Sequence, residues 1–213
     1  IDVGAAYGTL EIYKQFPEAT HLLIEPLEEF RNDLEKIAQQ HKAYYINAAA
    51  GANPGKASLN VHPDLVGSSL LKECEISDVN GIARDVPLVT VDNLCVELKL
   101  GGPYLIKIDV QGAELEVLAG ATKVLNDTEA IILEVSLFKF YSNNPEIHEV
   151  ISYMKERGFV VYDIWGGHYR PLDGALAQVD ILFVKEQGQF RNNHFYATQE
   201  QRTALTKRLR PTI

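Results

Sequence analysis

The stretch LIKIDVQGAELEVLAGA, residues 105–121, decides the fold class. Its apolar run over 105–108 predicts a buried strand, which turns polar at Asp109 and Gln111. Gly112 then allows a turn, and leucines at near-helical spacing follow it. In open parallel sheets, ligands bind beyond the carboxyl ends of the strands. The stretch therefore predicts a strand, a carboxylate at a ligand site, and a helix.

Two ionisable side chains, Lys107 and Asp109, alternate onto one face of this predicted strand. Burying them is costly unless they are paired or used by a ligand. The simpler alternative is an exposed edge strand that carries an ordinary ion pair. The rest of the chain favours a functional site.

The first residues, IDVGAAYG at 1–8, predict a strand end followed by a turn at Gly4 and Gly8. Glycine allows a backbone to approach a ligand closely. The next predicted strand ends at Glu25, where nucleotide-binding sheets place the acid that accepts hydrogen bonds from ribose hydroxyls. Both features favour a nucleoside cofactor, although a glycine pair can also serve only turn geometry.

The spacing of the glycines selects among nucleoside cofactors. A dinucleotide fingerprint that starts at Gly4 requires glycine at positions 6 and 9, where this chain has Ala6 and Thr9. The D-x-G-x-x-x-G turn, which begins at Asp2, instead suits a ligand with a free ammonium group and no pyrophosphate. S-adenosylmethionine is such a ligand.

Four motifs resemble the FkbM-type S-adenosylmethionine-dependent methyltransferases. They are DVGAAYG at 2–8, IEP at 24–26, VTVDNL at 89–94 and KIDVQGAELEVLAGA at 107–121. The resemblance extends to about residue 186, with Ala6 where the family commonly has Asn. It implies a Rossmann-like class I α/β fold, with a mostly parallel seven-stranded sheet, an antiparallel edge strand and helices on both faces. It also implies O-methyl transfer to a hydroxyl of a sugar, a glycan or a secondary metabolite.

The resemblance and the expected geometry together assign site residues. Asp2, Gly4 and Gly8 are expected at the methionine portion of the cofactor, Glu25 at the ribose, and residues 47–49 at the adenine. The full set of expected cofactor contacts is Asp2, Gly4, Ala5, Tyr7, Gly8, Glu25, Pro26, Asn47, Ala48 and Asp109.

The candidate catalytic residues are Asp109, Glu134 and His168. Asp109 is expected at the methyl end of the cofactor, and Glu134 either pairs with Lys107 or faces the acceptor. His168 lies in the sequence WGGHYRPLDG, which predicts a loop at the carboxyl end of the strand over 159–164. We favour Asp109 as the base. The histidines lack metal-ligand spacing, so we predict no metal site.

The remaining pattern alternates strands with helices, which is typical of a parallel sheet covered on both faces. Strands are predicted near 1–4, 20–25, 43–48, 86–92, 104–109, 129–135, 159–164 and 179–185, and helices near 9–16, 27–40, 113–125 and 145–157. The last two strands are expected to form an antiparallel pair at the sheet edge. The long segment 51–84 is expected to be a lid insertion with a strand near 57–62, or else a peripheral decoration.

We expect a methyltransferase domain over residues 1–186 and a basic tail over 187–213. Residues 188–213 carry five basic residues against one acidic residue, a net charge of +4, which leaves −13 on the rest of the chain. We expect the tail to form a helix that docks on this acidic body. The chain begins within a predicted strand and without Met, so we expect residues upstream of Ile1.

The composition of the chain limits which substrates and which cellular location we expect. An acidic body disfavours nucleic acid as the substrate, because phosphate contacts need dense Lys and Arg. The chain contains no run of 18 apolar residues, so we predict no membrane-spanning segment. Cys74 and Cys95 are too few for a disulfide framework, so we expect core thiols and a cytoplasmic location. The alternatives to a methyltransferase with a small-molecule or glycan acceptor are a non-catalytic cofactor-binding domain and, with less support, a nicotinamide oxidoreductase. The sequence does not predict the oligomeric state.

Overall fold

A computed structural model describes residues 1–75 and 78–210. Its strands are β1 (Asp2–Val3), β2 (His21–Ile24), β3 (Ala43–Ile46), β4 (Ala49–Ala50), β5 (Gly55–Val61), β6 (Ile82–Val89), β7 (Tyr104–Ile108), β8 (Thr128–Ser136), β9 (Phe159–Tyr169) and β10 (Leu176–Lys185). Its α-helices are α1 (Leu10–Gln15), α2 (Arg31–Gln40), α3 (Val91–Glu97), α4 (Glu114–Ala119), α5 (Ile147–Glu156) and α6 (Gln199–Leu209).

Seven strands form one sheet in the order β3-β2-β1-β7-β8-β10-β9. All are parallel except β10, which runs antiparallel to both of its neighbours. The Rossmann-like α/β fold is thus confirmed, as is the antiparallel pair at the sheet edge. The antiparallel strand lies one place in from that edge. The strand order reverses between β1 and β7, and a crevice at such a point is where ligands bind in open α/β sheets.

Apolar side chains cover both faces of the sheet because successive residues of a strand point to opposite faces. On β2, Leu22 and Ile24 belong to a core with α3, α4 and α5. Leu23, between them, belongs to a second core with α1 and α2. This alternation confirms helices on both faces.

The strand predicted near 86–92 is placed differently by the structure. β6 begins earlier, ends at Val89, and pairs with β4 and β5 in a separate three-stranded sheet. Thr90 then caps α3, since its hydroxyl accepts a hydrogen bond from the Asn93 backbone N–H at 3.2 Å. The VTVDNL motif therefore spans a strand end and a capped helix that the sequence analysis missed.

The helix predicted over 113–125 is shorter in the structure. α4 ends at Ala119, and a 3₁₀ turn at Val124–Asp127 follows. Gly120 follows α4 directly and lies against the backbone of Gly51. A Cβ at position 120 would be 2.1 Å from the Gly51 carbonyl oxygen, so only glycine fits there. This contact joins α4 to the end of β4.

The long segment 51–84 has its own structure, apart from residues 76 and 77, which lie outside the described residues. The predicted strand near 57–62 is observed as β5, which forms an antiparallel ladder with β6. The chain then folds back on β5, where the backbones of Asn60 and Ser69 exchange hydrogen bonds of 2.9 and 3.2 Å. Residues 62–75 therefore fold back over β5 in an ordered way, and we call them the covering segment.

The C-terminal tail forms the expected helix but does not dock. Among the described residues of α6, none is buried, and Phe195 and Tyr196 just before it are 86% and 80% exposed. The docking prediction is wrong because α6 has no apolar face to bury. Residues 211–213 lie outside the described part of the chain. Among the helices that are described, none combines the length and the apolar character needed to cross a membrane.

We expect deletion of residues 199–213 to leave the free energy of unfolding unchanged within about 0.5 kcal/mol, the usual range for changes at exposed sites. Urea unfolding monitored by circular dichroism measures this value. Gly120→Ala serves as the opposite control, because its new Cβ meets backbone and must shift α4. A large loss of stability on deletion would show that α6 contacts the body.

Candidate active site

The turn after β1 lies at the point where the strand order reverses, and it begins at Gly4. Gly4 has φ +74°, and its N–H donates to the Ile24 carbonyl at 2.9 Å. A Cβ there would lie 1.8 Å from the Asp109 carbonyl oxygen. Glycine is therefore required because the ends of β1 and β7 touch, whatever ligand binds above them.

Asp2 holds this turn from below. Its Oδ2 accepts hydrogen bonds from the Tyr13 hydroxyl and, at 3.3 Å, from the Thr9 N–H. Asp2 is 3% exposed, and its Oδ1 is buried with no hydrogen-bond partner among the described residues. Burial and the nearby Asp2 carboxylate raise the pKa of Tyr13 above its ordinary value. Asp2 thus fastens the turn to α1.

Glu25, at the end of β2, shapes the rim of the crevice. Its two carboxylate oxygens accept the N–H groups of Ala6 at 3.0 Å and of Leu27 at 2.9 Å. The first bond holds Ala6 at φ +43°, a left-handed conformation that is uncommon for alanine. Burial raises the pKa of Glu25 above its usual value, although both N–H groups oppose the shift.

A narrow cleft of about 110 Å³ opens above these residues. Of the expected cofactor contacts, five line the cleft: Gly4, Glu25, Pro26, Ala48 and Asp109. Much of the remaining lining is apolar and includes Leu27, Phe30, Leu59, Leu65, Val66 and Leu70. The cleft therefore combines two carboxylates with apolar side chains.

The other five expected contacts, Asp2, Ala5, Tyr7, Gly8 and Asn47, lie outside the cleft lining. Ala5 is buried in the core beside α1 and α2. Tyr7 is 61% exposed and packs edge-on against Phe30, with the ring centroids 4.8 Å apart.

Gly8 and Asn47 support the walls of the cleft. A Cβ on Gly8 would meet the end of the Ile37 side chain at 2.5 Å, so the glycine lets the turn pack against α2. The Asn47 amide donates to the carbonyls of Glu25 and Pro26, both at 3.1 Å. Asn47 therefore holds the rim on which Glu25 sits.

Carboxylates from two neighbouring strands meet beside the cleft. Lys107 Nζ donates to Asp109 at 3.1 Å, so the two ionisable residues of β7 are paired. The Gln111 side-chain amide donates both to Asp109, at 3.0 Å, and to Glu134 Oε2, at 2.8 Å. Gln178 of β10 donates to the same Glu134 oxygen at 2.8 Å. Two glutamines thus join three strands at this edge.

Charge in this cluster favours a proton on Glu134. Burial, followed by the neighbouring carboxylates of Asp109 and Glu114, raises the pKa of Glu134 to about 8. Burial disfavours the charged form of Lys107, but Asp109 and Asp2 outweigh it and raise the pKa of Lys107. The cluster therefore favours a charged Lys107 ammonium group and a protonated Glu134 carboxyl.

Gln111 is a site residue that the sequence analysis did not select. It has φ +57°, and its backbone carbonyl accepts a hydrogen bond from the Ser69 hydroxyl of the covering segment at 2.6 Å. Its side-chain oxygen accepts from the Tyr141 hydroxyl at 3.2 Å. Because Gln111 follows the polar strand end at Asp109, the sequence could have predicted it as a site residue. Tyr141 and Gln178 are too distant in sequence for such a prediction.

Glu114 is the other residue that the sequence analysis missed. It is 4% exposed, and its Oε1 accepts the N–H groups of Val110 at 3.3 Å and Gly112 at 2.9 Å. Burial raises the pKa of Glu114 to about 7. Glu114 therefore fixes the turn that carries Gln111.

His168 was expected in a loop, and the structure corrects this. It lies inside β9 and pairs with Gln178 of β10. β9 does not end near residue 164, because Gly166 and Gly167 adopt positive φ values of +65° and +151° and form an irregularity after which pairing resumes. His168 reaches the expected carboxyl edge of the sheet, where its side chain is exposed.

Metal-ligating side chains do not converge in the part of the chain that the structure describes. No group of three or more His, Cys, Asp or Glu residues there could hold a metal ion.

Comparison with known families identifies this arrangement. The sequence matches the methyltransferase FkbM domain over residues 2–161, most of the chain. The chain belongs to this family. The match includes the turn after β1, Glu25 and the carboxylate cluster of this FkbM-domain methyltransferase, and it ends within β9.

Solved structures similar to this methyltransferase are distant. One is magnesium protoporphyrin IX methyltransferase from Synechocystis PCC 6803 with bound S-adenosylmethionine, at 12% identity and a TM-score of 0.46, covering 86% of this chain and 68% of that one. Another is a proposed RNA methyltransferase from Pyrococcus horikoshii, at 15% identity and a TM-score of 0.41, covering 86% of this chain and 72% of that one. No curated protein matches the sequence.

The raised pKa values of Glu134 and Glu114 predict that this FkbM-domain methyltransferase loses stability as pH rises. Both groups bind a proton more tightly in the folded chain than at their ordinary pKa of 4.5. Their contribution is therefore complete below about pH 4.5 and is lost as pH rises toward about 8. Each group adds a slope of at most about 1.4 kcal/mol per pH unit.

Urea unfolding at about pH 6 and about pH 8 measures this slope. Glu134→Gln keeps the shape and is neutral at both values, so it should reduce the pH dependence. Glu35→Gln, an exposed change on α2, is the matched control and should leave it unaltered. An unchanged slope in Glu134→Gln would show that Glu134 is ionised in the folded chain.

Proposed function

We propose that this methyltransferase uses S-adenosylmethionine to methylate a hydroxyl group of a sugar, a glycan or a secondary metabolite. The observation that carries this proposal is that the carboxylate cluster adjoins the cleft. Asp109 belongs to both, and Gln111 links it to Glu134. A cofactor site and a proton acceptor thus lie side by side.

The residues of the cleft fit S-adenosylmethionine. Each Glu25 oxygen accepts one backbone N–H and keeps a second acceptor site for a ribose hydroxyl. The adenine ring suits the apolar part of the lining, which includes Ala48 and Leu70. The carboxylates of Glu25 and Asp109 in the lining favour a ligand with positive charge. When bound, the cofactor supplies an activated methyl group.

The two alternative functions fit these residues less well. A nicotinamide dinucleotide carries a pyrophosphate that binds at a G-x-G-x-x-G turn, whereas this turn has Ala6 and Thr9 at the second and third glycine positions. A domain that only binds a nucleoside has no use for buried, linked carboxyl groups beside the ligand, since burying them costs free energy. The carboxylate cluster therefore favours catalysis.

Among the candidate bases, the hydrogen bonds favour Glu134 over Asp109 and His168. Asp109 already accepts Lys107 and Gln111 on its two oxygens. Both bonds that Glu134 accepts from described residues reach Oε2, which leaves Oε1 for the acceptor. In the proposed reaction, Glu134 takes the hydroxyl proton as the acceptor oxygen gains the methyl group.

We further propose that the catalytic domain spans 1–186 and that 187–213 form a separate basic tail, because the large sheet ends at Lys185. We retain a small-molecule or glycan acceptor rather than nucleic acid, because the body is acidic. The free state of both cysteines agrees with a reducing, cytoplasmic location, but Cys74 is exposed, so only Cys95 is the expected core thiol.

We expect Glu25→Gln to weaken S-adenosylmethionine binding by about tenfold or more, because a hydrogen bond to a charged group contributes about 1.5–3 kcal/mol. Calorimetry with S-adenosylhomocysteine and its 2′,3′-dideoxy analogue measures the effect. Removing the hydroxyls should cost affinity in the parent but little more in Glu25→Gln.

This comparison separates a ribose contact from a change in the turn that Glu25 holds. If the parent and Glu25→Gln lose affinity equally when the hydroxyls are removed, Glu25 does not bind the ribose. Glu35→Gln, on the exposed face of α2, should bind both ligands like the parent.

A base with the raised pKa of Glu134 predicts that turnover rises with pH toward about 8. Loss of general base catalysis typically costs about 10²-fold, so Glu134→Gln should lose at least that much and lose the rise. The measurement is the pH dependence of labelled methyl transfer to an acceptor found by screening sugars, glycans and phenols. A rise that persists in Glu134→Gln but vanishes in Asp109→Asn or His168→Ala would move the role of base to that residue.

A further inference from the structure

A second cavity opens on the same edge of the sheet, on the other side of Gln111 from the cofactor cleft. It is named here the acceptor groove, and the inference below rests on the proposed function. The end of the covering segment, the stretch 139–141 and the β9–β10 turn line it. The residues used here are Glu73, Cys74, Phe140, Tyr141, Tyr169 and Leu172.

The floor of the groove contacts the carboxylate cluster directly. Tyr141, which is 6% exposed, donates its hydroxyl to the Gln111 side chain at 3.2 Å. Gln178 also lines the groove, and its amide donates to Glu134 at 2.8 Å. Two side chains of the groove lining therefore contact Gln111 and Glu134, the group proposed to take the proton.

The walls of the groove are apolar and largely exposed. Tyr169 and Leu172, from the β9–β10 turn, are 68% and 84% exposed. Opposite them, Cys74 donates its N–H to the Phe140 carbonyl at 2.8 Å, which ties the covering segment to the wall. Exposed aromatic and aliphatic side chains on facing walls favour a flat apolar surface between them.

Charge gives the groove no preference for an anionic occupant. Arg170 donates to Asp173 at 2.7 and 2.5 Å and lies over the Phe138 ring at 4.0 Å, so its charge is already paired. Lys139 also lines the groove, and it is balanced by the Glu73 and Glu75 carboxylates. The described lining therefore has no surplus of positive charge for a phosphate or carboxylate group.

We propose that the acceptor groove binds the methyl acceptor and selects an uncharged hydroxyl compound with a flat apolar face. An aryl alcohol has such a face, and so does a pyranose ring. In both cases the apolar face packs against Tyr169, and the hydroxyl points toward Glu134.

Cys74 provides a direct test, because it lines the groove and is exposed, whereas Cys95 is buried and serves as an internal reference. The rate of iodoacetamide alkylation at each cysteine is measured with 2-naphthol, methyl β-glucopyranoside or 2-naphthoate. We expect at least one uncharged probe to slow alkylation of Cys74 by about tenfold once the groove is about 90% occupied, by mass action. The probe that protects identifies the aryl or the pyranose source.

2-Naphthoate has the same ring system with a negative charge, so it should not protect Cys74. Equal protection by 2-naphthoate and 2-naphthol would overturn the charge selection. Absence of protection by both uncharged probes at their solubility limits would overturn the groove itself.

Matched variants locate the bound probe. Tyr169→Ala should abolish the protection, whereas Tyr162→Ala should retain it, because Tyr162 is 51% exposed on the same strand but lies outside the groove. Protection that survives Tyr169→Ala would place the probe elsewhere. Calorimetry with S-adenosylmethionine is independent of this test, so normal cofactor binding without protection refutes the groove alone. Protection without cofactor binding refutes the proposed function alone.

Discussion

Burial of carboxylates at the carboxyl edge of the sheet is the constraint on which the site depends. A charge removed from water is costly unless donors surround it. Glu25 and Glu114 meet this requirement by accepting pairs of backbone N–H groups from the turns beside them. Glu134 instead accepts two side-chain amides, from Gln111 and Gln178. Because each carboxylate needs its own donors, the turns that supply them are fixed in place before any ligand binds.

This constraint explains two unusual backbone conformations. Ala6 and Gln111 both adopt positive φ values, which cost about 1–3 kcal/mol for residues other than glycine. In each case a buried carboxylate holds the strained turn: Glu25 accepts the Ala6 N–H, and Glu114 accepts the N–H groups on either side of Gln111. The hydrogen bonds that the buried carboxylates accept thus offset the strain in the turns. The strained residues line the cofactor cleft, where a displacement of the turn would change the shape of the site.

The sequence predicted what depends on local pattern and missed what depends on distant contacts. The strand, polar end and helix of 105–121 could be read directly, because hydrophobic periodicity and a glycine turn are local signals. Gln178 could not be assigned, since its partner Glu134 is 44 positions away and an isolated glutamine carries no signal. His168 was misplaced because paired glycines predict a turn, whereas here they form an irregularity within a continuous strand. Docking of α6 was predicted from net charge, and charge without an apolar face does not determine where a helix packs.

Gln111 lies between the two cavities of the site. Its side-chain nitrogen donates hydrogen bonds to Asp109 and Glu134, and its side-chain oxygen accepts one from the Tyr141 hydroxyl. One side chain therefore separates the cofactor cleft from the acceptor groove. The dividing residue is uncharged. A lysine there would pair with Glu134 and keep it ionised, and a carboxylate would add further repulsion to a cluster whose only ammonium partner, among the hydrogen bonds of the described residues, is Lys107. A neutral donor allows Glu134 to stay buried and to hold or release a proton. That is the property required of the base in the reaction that we propose.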